Sequence, residues 1–517
     1  MISRAVDRSI ARWRAAAAAP RVRLALEATL VYACAFGVLH AYQFLTPHLS
    51  EPDLYYHIKT AWLLRTQGSV NAFPWAATSL WREAYFNKDF GFHALLTLFT
   101  FGSLAHGAKL AAVVLGSAVV TSFYSVLRLS GVRFAWLATL CLFACGALFA
   151  YRLNVARPHL LSIILSLWIV FFATRRAWLV VGLSSLVYAL CYTAPHVAVG
   201  YALVAYVAWG LGRGEWRHRL PLAAAAGVLG GWLLHPSFPN NFAGFWLQSV
   251  EVLEHVWWAE NLRAGVEFEP ASTRAFLVGH APIYVAALGA LWLWPRLPDR
   301  RHPRLVTLFV IANGYFVLAC ASKRFVEYFV PFSLWLLAEI ASAALPQWSA
   351  LAPHRRRGLG IAVAAALSLA LVMTGRDTYR TFASFRPSAA LPVAEWLYAN
   401  TPHESLVFTC DWDDAPELFF FNHRNRYLVF LDPIYMFAWR PALFRAWRLI
   451  GDGLEADPVR AIRDGFGAGA GYCTGEYARL RAQLERDPRV QVAAAPGGGF
   501  MFVLTQPTAP EPTPAAP

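Results

Sequence analysis

Apolar stretches long enough to cross a membrane alternate with short polar segments over most of the chain before residue 376. The first stretch, residues 24–44, would span the ~30 Å apolar core of a bilayer as a helix rising about 1.5 Å per residue. It follows an arginine-rich start and lacks a small-residue cleavage pattern, so we expect a retained helix with a cytoplasmic N-terminus. Hydropathy predicts about eleven spans, the others being residues 108–127, 134–150, 159–174, 177–191, 197–211, 220–234, 275–294, 305–321, 325–345 and 359–374.

Residues 89–105 decide the predicted topology, because this segment is apolar enough to span a membrane but is short. If it lies along the outer surface, the arginine clusters at 175–176, 213–219, 296–304 and 355–357 all face the cytoplasm, as the positive-inside rule prefers. We therefore interpret 89–105 as interfacial. The segments predicted on the outer side are then 46–106, 151–158, 192–196, 235–274, 322–324 and everything after about residue 376.

Between residues 387 and 505 the composition becomes that of a soluble domain. The pattern predicts helices at 390–400 and 477–486, strands at 405–409 and 427–431, and a final hairpin of 490–493 with 500–504. The predicted domains are an N-terminal segment 1–23, a transmembrane domain 24–376 whose first outer loop is 46–106, a small α/β domain 387–505, and a Pro/Ala/Thr-rich disordered tail 506–517.

The composition supports a membrane protein and excludes several soluble classes. Of 517 residues, 57% are hydrophobic and 15% are charged, against about 25% charged in soluble domains, and the mean hydropathy is +0.42. The net charge of +14 comes from short basic clusters between apolar stretches, so we assign it to topology and expect no nucleic-acid partner. Five of the seven cysteines lie in apolar runs, whereas Cys410 and Cys473 lie in the outer domain, where an oxidising compartment would allow them to pair.

The first outer loop begins with a run of acidic and aromatic residues at 51–57. Pro52 suits the first turn of a helix, and the acidic residues suit its positive end. Asp53 and His57 are four residues apart, so the pattern predicts an amphipathic helix resting on the membrane with a carboxylate and an imidazole above it. The alternative is structural, with Asp53 capping the helix and the Tyr and His residues forming an interfacial belt.

Three motifs resemble the GT-C superfamily of polytopic membrane glycosyltransferases. The run D-x-Y-Y-H at 53–57, followed by Gln67-Gly68, resembles the first outer loop of oligosaccharyltransferase catalytic subunits. The run K-R-x-x-x-Y-x-x-P at 323–331 is similar to a segment of the protein O-mannosyltransferase and aminoarabinose-transferase branch. The W-D-D run at 412–414 is similar to the W-W-D motif of oligosaccharyltransferases. The order of the motifs and the predicted architecture agree with the superfamily along most of the chain.

The resemblance implies transfer of a sugar from a polyprenyl-phosphate or polyprenyl-diphosphate donor to a glycan, lipid or protein acceptor. The acceptor hydroxyl needs a base at the membrane surface, for which Asp53 is the candidate, with Glu51 and His57 beside it. The leaving phosphate needs fixed positive charge, for which Lys323 and Arg324 are the candidates. The alternative for these two cations is snorkelling at a helix end.

Other polar residues of the outer segments are candidate substrate ligands. They are Tyr328, Arg157, His159, His196, Lys88, Asp89, Trp412 and Asp413, with Arg152 and Asn154 in the same short loop as Arg157, and Trp81 and Glu83 beside the predicted interfacial helix. Metal-dependent oligosaccharyltransferases carry a D-x-D-like motif that this chain lacks in the corresponding region, so no cofactor is certain. Glu267 and Glu269 could complete a site with Asp53 for a divalent cation, Mg or Mn. For each histidine the structural alternative is a packed or interfacial residue.

Three functions are compatible with these residues. The leading interpretation is a multi-pass glycosyltransferase of the bacterial inner membrane, with its N-terminus in the cytoplasm and its C-terminal α/β domain in the periplasm. The second is a lipid-linked sugar flippase or other transporter, which would need charged or broken helices along a path; Glu339 is one of the few acidic residues well inside a predicted span. The third is a non-catalytic membrane scaffold, in which Asp53→Asn would leave function intact.

Overall fold

The computed structural model describes residues 20–68, 72–251 and 265–505. The predicted cytoplasmic start before residue 20 and the predicted disordered tail 506–517 lie outside the described residues. Contacts divide the chain into two compact units. Unit 1 takes in Met1–Pro47, Asp89–His235 and Val266–Phe385, and unit 2 takes in His48–Lys88, Pro236–Gly265 and Arg386–Pro517.

The described chain is helical apart from one sheet. Its helices are α1 (Pro20–Gln43), α2 (Pro52–Gln67), α3 (Phe90–Leu96), α4 (Leu104–Leu129), α5 (Ala135–Leu142), α6 (Ala147–Leu153), α7 (His159–Ala173), α8 (Trp178–Cys191), α9 (His196–Arg213), α10 (Arg219–Leu233), α11 (Asn240–Trp246), α12 (Thr273–Gly279), α13 (Ala281–Leu293), α14 (Pro303–Ala321), α15 (Val326–Ala343), α16 (Leu345–Ser349), α17 (Pro353–Ala383), α18 (Ala390–Asn400), α19 (Asp414–Phe421), α20 (Ile434–Trp439), α21 (Pro441–Gly451), α22 (Pro458–Arg460) and α23 (Ala478–Leu484). Helices α2, α11 and α18–α23 belong to unit 2, and the others belong to unit 1.

Unit 1 carries the helices that suit a membrane. Among the described residues, α1, α4, α14, α15 and α17 are long and apolar enough to cross one, and the number is seven if each of two bent pairs counts as one span. Only 6% of the apolar window of α17 is buried by protein, and so large an apolar surface suits contact with lipid. The chain is a multi-pass membrane protein. Every predicted span coincides with a helix or a bent pair, but the count of about eleven stays a prediction.

Two predicted spans are not straight helices. Residues 134–150 form α5 and α6, which are bent by 95°. The chain turns between them at Gly146 with a φ of 87°, which glycine adopts without steric cost. Residues 275–294 fall in α12 and α13, which are bent by 64°. A Cβ on Gly146 would lie 3.0 Å from the Cα of Gly279, so the two breaks meet and leave no room for a side chain.

The segment 89–105 contains no helix of spanning length. Helix α3 has seven residues and is followed by a 3-10 turn, Thr97–Phe99, before α4 begins at Leu104. Ten helical residues cover only about 15 Å, half of the apolar core of a bilayer. This length favours the interfacial interpretation, while the orientation of the chain in the membrane stays a prediction.

Unit 2 contains a five-stranded sheet in the order β2-β1-β3-β5-β4. Its strands are β1 (Leu406–Thr409), β2 (Arg426–Tyr427), β3 (Ala470–Cys473), β4 (Val490–Ala494) and β5 (Phe500–Leu504). Strand β1 runs parallel to β2 and β3, and β5 runs antiparallel to β3 and β4. The first outer loop extends this sheet, because the N–H of Tyr427 donates to Trp75 O at 2.7 Å and the N–H of Ala77 donates to Tyr427 O at 2.8 Å.

The sequence predicted much of this α/β arrangement. Helix α18 has the predicted bounds, and the final hairpin is confirmed as β4 paired with β5. The strand predicted at 427–431 is reduced to the two residues of β2. Strand β3, at the centre of the sheet, was not predicted.

A disulfide joins Cys410, just after β1, to Cys473 at the end of β3. The bond closes a loop with a sequence separation of 63, and such a closure restricts the unfolded chain. We expect Cys410→Ser combined with Cys473→Ser to lower the stability of the protein by about 2–4 kcal/mol. Thermal unfolding of the purified protein in detergent would measure the change. The matched control is Cys320→Ser, which removes an exposed free thiol; equal unfolding temperatures for all three proteins would contradict the prediction.

Candidate active site

The acidic start of the first outer loop forms the N-terminus of helix α2. Glu51 is the N-cap residue with extended backbone, Pro52 takes the first helical position, and Asp53 lies half-buried in the first turn. Proline is tolerated there because the first N–H groups have no acceptor within the helix, and a carboxylate is stabilised by the positive helix end. The helix ends at Gln67, where Gly68 follows with a φ of 79°. The predicted helix is confirmed.

Helix α2 is enclosed by protein instead of presenting one apolar face to a membrane. Its middle residues are all buried, and His57 is only 3% exposed. The ring of Tyr55 meets that of Phe420 edge-on at 5.1 Å, and the ring of His57 lies 5.3 Å from that of Tyr56. The prediction of a one-sided helix with an open imidazole is therefore wrong. The segment His48–Lys88 packs with the C-terminal part of the chain in unit 2.

The W-D-D segment lies at the start of helix α19, which packs against α2. Trp412 is half-buried, and Asp413 is the N-cap residue, whose N–H donates to Asp411 Oδ1 at 3.2 Å. Burial, together with the carboxylates of Asp411, Glu417 and Asp413, raises the pKa of Asp414 well above its usual range. Among the described residues, Asp414 Oδ2 has no hydrogen-bond partner. The segment therefore forms a carboxylate cluster that binds a proton readily.

Aromatic and hydroxyl side chains connect this acidic cluster to the rest of unit 2. Burial and the charge of Glu417 raise the pKa of Tyr55, which lies two residues after Asp53. The hydroxyl of Ser388 donates to Glu417, and the hydroxyl of Tyr477 donates to Asp411 Oδ2 at 3.3 Å. The structure thus brings the D-x-Y-Y-H and W-D-D motifs onto two helices in contact.

The remaining candidates of the first outer loop in unit 2 differ in burial and in their contacts. Trp81 is 1% exposed within a cluster of aromatic rings. Glu83 is exposed. Lys88 is half-buried, and its Nζ donates to Gln248 Oε1 at 3.2 Å. Gln248 Nε2 in turn donates to Asp432 Oδ2 at 3.2 Å, so Lys88 is linked to the two other segments of unit 2.

In unit 1, three arginine side chains converge on the carboxylate of Glu267. Arg157 binds it through both guanidinium nitrogens, with Nη1 at 2.8 Å from Oε2 and Nη2 at 3.3 Å from Oε1. Nη1 of Arg324 lies 3.3 Å from Oε1, and Nη1 of Arg152 lies 3.4 Å from Oε2. Forked pairing of this kind is the geometry in which arginine binds carboxylates and phosphates. We call Arg152, Arg157, Arg324, Glu267 and Glu327 the arginine cluster.

Glu327 supplies the second carboxylate of the arginine cluster. It pairs with Arg152, and the side chains of Glu327 and Arg152 are 0% and 7% exposed. His159 Nε2 lies 2.7 Å from the carbonyl oxygen of Arg152, and His159 itself is 2% exposed. The ring of His159 is thus buried beside the backbone of Arg152, and its role as a substrate ligand stays a prediction. Asn154 is also buried, and its amide donates to Leu39 O at 2.9 Å.

The environment of Glu267 favours an ion pair over a metal site. Burial alone would raise the pKa of Glu267, but the charges of Arg157, Arg324 and Arg152 hold it well below its usual range. Three guanidinium groups around one carboxylate repel a divalent cation. Among the described residues, no group of three or more His, Cys, Asp or Glu side chains could hold a metal ion. In the described contacts Glu267 is an arginine counter-ion and Glu269 is exposed, while the metal role stays a prediction.

Lys323 and Arg324 begin a 3-10 turn, Lys323–Phe325, between α14 and α15. Their side chains are 27% and 30% exposed. The segment of Glu267 runs along this turn, since Ser322 Oγ donates to Glu267 O and the N–H of Lys323 donates to Glu269 O, both at 2.9 Å. The arginine cluster carries one positive charge in excess, and Lys323 adds another beside Glu269.

Three further residues of unit 1 that were predicted to bind substrate lie outside the arginine cluster and differ in their exposure. Tyr328 is 5% exposed, its hydroxyl lies 2.6 Å from Ser162 Oγ, and its ring stacks on Tyr315. Its substrate-binding role stays a prediction. Asp89 is 1% exposed and accepts a bond from Thr193 Oγ1 at 3.2 Å, so it is a packed residue at the start of α3. His196, at the start of α9, is exposed.

The helical unit and the α/β unit containing the first outer loop form a fold that solved structures share. The chain has the fold of the GT-C superfamily of polytopic membrane glycosyltransferases. No protein-family model and no curated protein sequence matches it.

Three solved structures show the likeness. The archaeal oligosaccharyltransferase AglB from Archaeoglobus fulgidus, solved with an inhibitory peptide and a dolichol-phosphate, is 12% identical, with a TM-score of 0.66 over 94% of this chain and 75% of that one. ArnT from Cupriavidus metallidurans, bound to undecaprenyl phosphate, is 16% identical, with a TM-score of 0.55 over 93% and 99%. The mycobacterial arabinofuranosyltransferase AftD is 15% identical, with a TM-score of 0.55 over 92% of this chain and 41% of that one.

Proposed function

We propose that this protein is a glycosyltransferase that moves a sugar from a polyprenyl-phosphate or polyprenyl-diphosphate donor to an acceptor at the periplasmic face of a bacterial inner membrane. The observation that carries the proposal is the arginine cluster, in which three guanidinium groups converge on one point in an apolar helical unit. Buried cations are expensive in such surroundings and mark sites of function. Two of the structures with this fold were solved with a polyprenyl or dolichol phosphate, which supports a lipid phosphate as the ligand.

Asp53 is the proposed base. The acceptor hydroxyl attacks the anomeric carbon of the sugar, its proton passes to the Asp53 carboxylate, and the bond between that carbon and the phosphate oxygen breaks. The electron pair leaves with the lipid phosphate, whose charge Arg324, Arg157 and Lys323 would stabilise. Glu51 and His57 flank Asp53 on the same helix, and we assign them the positioning of its first turn.

The acidic cluster at the start of α19 is the proposed acceptor-binding region. Carboxylates accept hydrogen bonds from sugar hydroxyl groups, and Asp413 and Asp411 are half-buried at the surface of unit 2. Trp412 adds an apolar ring of the kind that packs on a sugar face. Support for this assignment comes from the contact between α2, which begins with Asp53, and α19.

The proposed location rests on charge and on the disulfide. The basic clusters follow the positive-inside rule when the C-terminal domain lies outside the cytoplasm. The disulfide between Cys410 and Cys473 agrees with this side, because such bonds persist in oxidising compartments such as the periplasm.

The test is transfer of radiolabelled sugar in proteoliposomes from a panel of polyprenyl-phosphate and polyprenyl-diphosphate sugars. We expect label to appear in an added acceptor with one class of donor. If the labelled lipid-linked sugar only moves between the two leaflets, the proposed transferase activity is overturned in favour of a lipid-linked sugar flippase. Donor that stays unchanged and immobile with every acceptor tried would favour a scaffold.

A further inference from the structure

We propose that Glu267 is a placeholder for the lipid phosphate. Its carboxylate occupies the position among Arg157, Arg324 and Arg152 that the donor phosphate takes, and the phosphate displaces it on binding. This inference rests on the proposed function, since it assumes that the arginine cluster receives a lipid phosphate.

The geometry around Glu267 is that of a bound oxyanion. A carboxylate presents two oxygens to the forked guanidinium of Arg157, and a phosphate presents two oxygens with the same geometry. Arg324 reaches the same carboxylate from the 3-10 turn Lys323–Phe325, with a side chain that is 30% exposed. The three arginines are therefore already arranged around an anion, and a phosphate can replace it without a new site being built.

The two glutamates of the arginine cluster differ in accessibility. Glu327 is fully buried and pairs with Arg152, so a ligand from outside does not reach its carboxylate. The side chain of Glu267 is 21% exposed, so a ligand can reach it. Only Glu267 is therefore placed to exchange with a ligand from outside.

The attachment of the Glu267 segment allows the exchange. The segment Val266–Phe268 is held to the 3-10 turn through the backbone carbonyls of Glu267 and Glu269, which accept bonds from Ser322 Oγ and from the N–H of Lys323. Neither bond uses the Glu267 carboxylate. The side chain can therefore rotate away from the arginines while its backbone stays attached.

Charge balance favours replacement of the Glu267 carboxylate by the phosphate of the spent lipid, which is the polyprenyl phosphate left after sugar transfer. With Glu267 displaced, three arginines face Glu327 alone, which leaves two positive charges in excess. A phosphate monoester carries about −1.5 to −2 at pH 7 and would neutralise this excess, whereas the single charge of a carboxylate does not. Competition from Glu267 then lowers the affinity for the spent polyprenyl phosphate and speeds its release.

The test measures binding of undecaprenyl phosphate to the full chain in detergent. Removing the competing charge in Glu267→Gln should tighten binding by roughly three- to tenfold. Glu267→Asp, which keeps the charge, should bind as the wild type does. Glu485→Gln removes an exposed carboxylate elsewhere and is the matched control. Inorganic phosphate forms a second arm, and tighter binding of it by Glu267→Gln would show that the phosphate group alone is recognised, without the lipid chain.

A second measurement needs no variant. Carbodiimide labelling of carboxylates, read by mass spectrometry, should modify Glu267 more strongly when undecaprenyl phosphate is bound, while the buried Glu327 stays unmodified. Reduced labelling of Glu267 on binding, or weaker binding by Glu267→Gln, would overturn the placeholder role and leave the proposed function standing. Failure of the wild type to bind any lipid phosphate would instead overturn the lipid-phosphate role of the arginine cluster.

Discussion

Replacing Asp53 with asparagine is expected to slow sugar transfer by about 10²–10⁴-fold while the protein stays folded. The amide has the size of the carboxylate but cannot take a proton from the acceptor hydroxyl. Asp53 lies half-buried in the first turn of α2, where its charge contributes only roughly 0.3–1 kcal/mol through the helix dipole. Single-turnover transfer at saturating donor, together with thermal unfolding of the same preparation, separates the loss of the base from a loss of structure.

The matched control for Asp53 is an exposed carboxylate in the same unit. Asp464 pairs with Arg463 at the surface, so Asp464→Asn should transfer sugar at the wild-type rate. If Asp53→Asn also transfers at that rate, the base lies elsewhere. If both variants lose transfer equally, the assay is reporting general damage to unit 2.

Replacing Arg152 with methionine is expected to lower stability by about 3–5 kcal/mol, because it leaves the Glu327 carboxylate buried without its counter-ion. The side chain of Glu327 is fully enclosed, so water cannot take the place of the guanidinium. Thermal unfolding in detergent would measure the effect. Arg217→Met is the matched control, because the side chain of Arg217 is 64% exposed and its loss leaves no buried charge.

A double variant tests the physical reason for that loss. Arg152→Met combined with Glu327→Leu removes both charges, so the double variant should be more stable than Arg152→Met alone. A double variant as unstable as the single one would mean that Arg152 acts through its packing or through its contact with Glu267.

The helices were predictable because hydropathy and helix signals are local. The start of α2 at Pro52 and the bounds of α18 follow from proline, acidic residues and apolar spacing within a few positions. The break at Gly146 was missed because a glycine within an apolar run does not reveal a turn until it meets Gly279, more than a hundred residues later. Strand β3, with the sequence Ala-Gly-Tyr-Cys, has too little strand character to be recognised without its neighbours in the sheet.

The candidate site shows the same division between local and distant information. The sequence placed Arg157 and Arg324 among the candidates. It did not reveal that both pair with Glu267, because Glu267 lies 110 residues after Arg157 and no local pattern connects these residues. Glu327 was not selected, although an acidic residue at the outer end of a predicted span, three residues after Arg324, was a usable signal. The burial of His57 could not be predicted, because the C-terminal residues that cover α2 lie far along the chain.

Arg152 leaves the ribosome 175 residues before Glu327, its buried counter-ion. At a synthesis rate of roughly 5–20 residues per second, the guanidinium waits about 9–35 s for this partner. During that interval α6 carries a cation that must stay near water at the membrane surface. Glu267 is made earlier, 115 residues after Arg152, and is the first of the two carboxylates that the arginine can meet. The order of synthesis therefore makes the Glu267 carboxylate available to Arg152 before α15 brings Glu327.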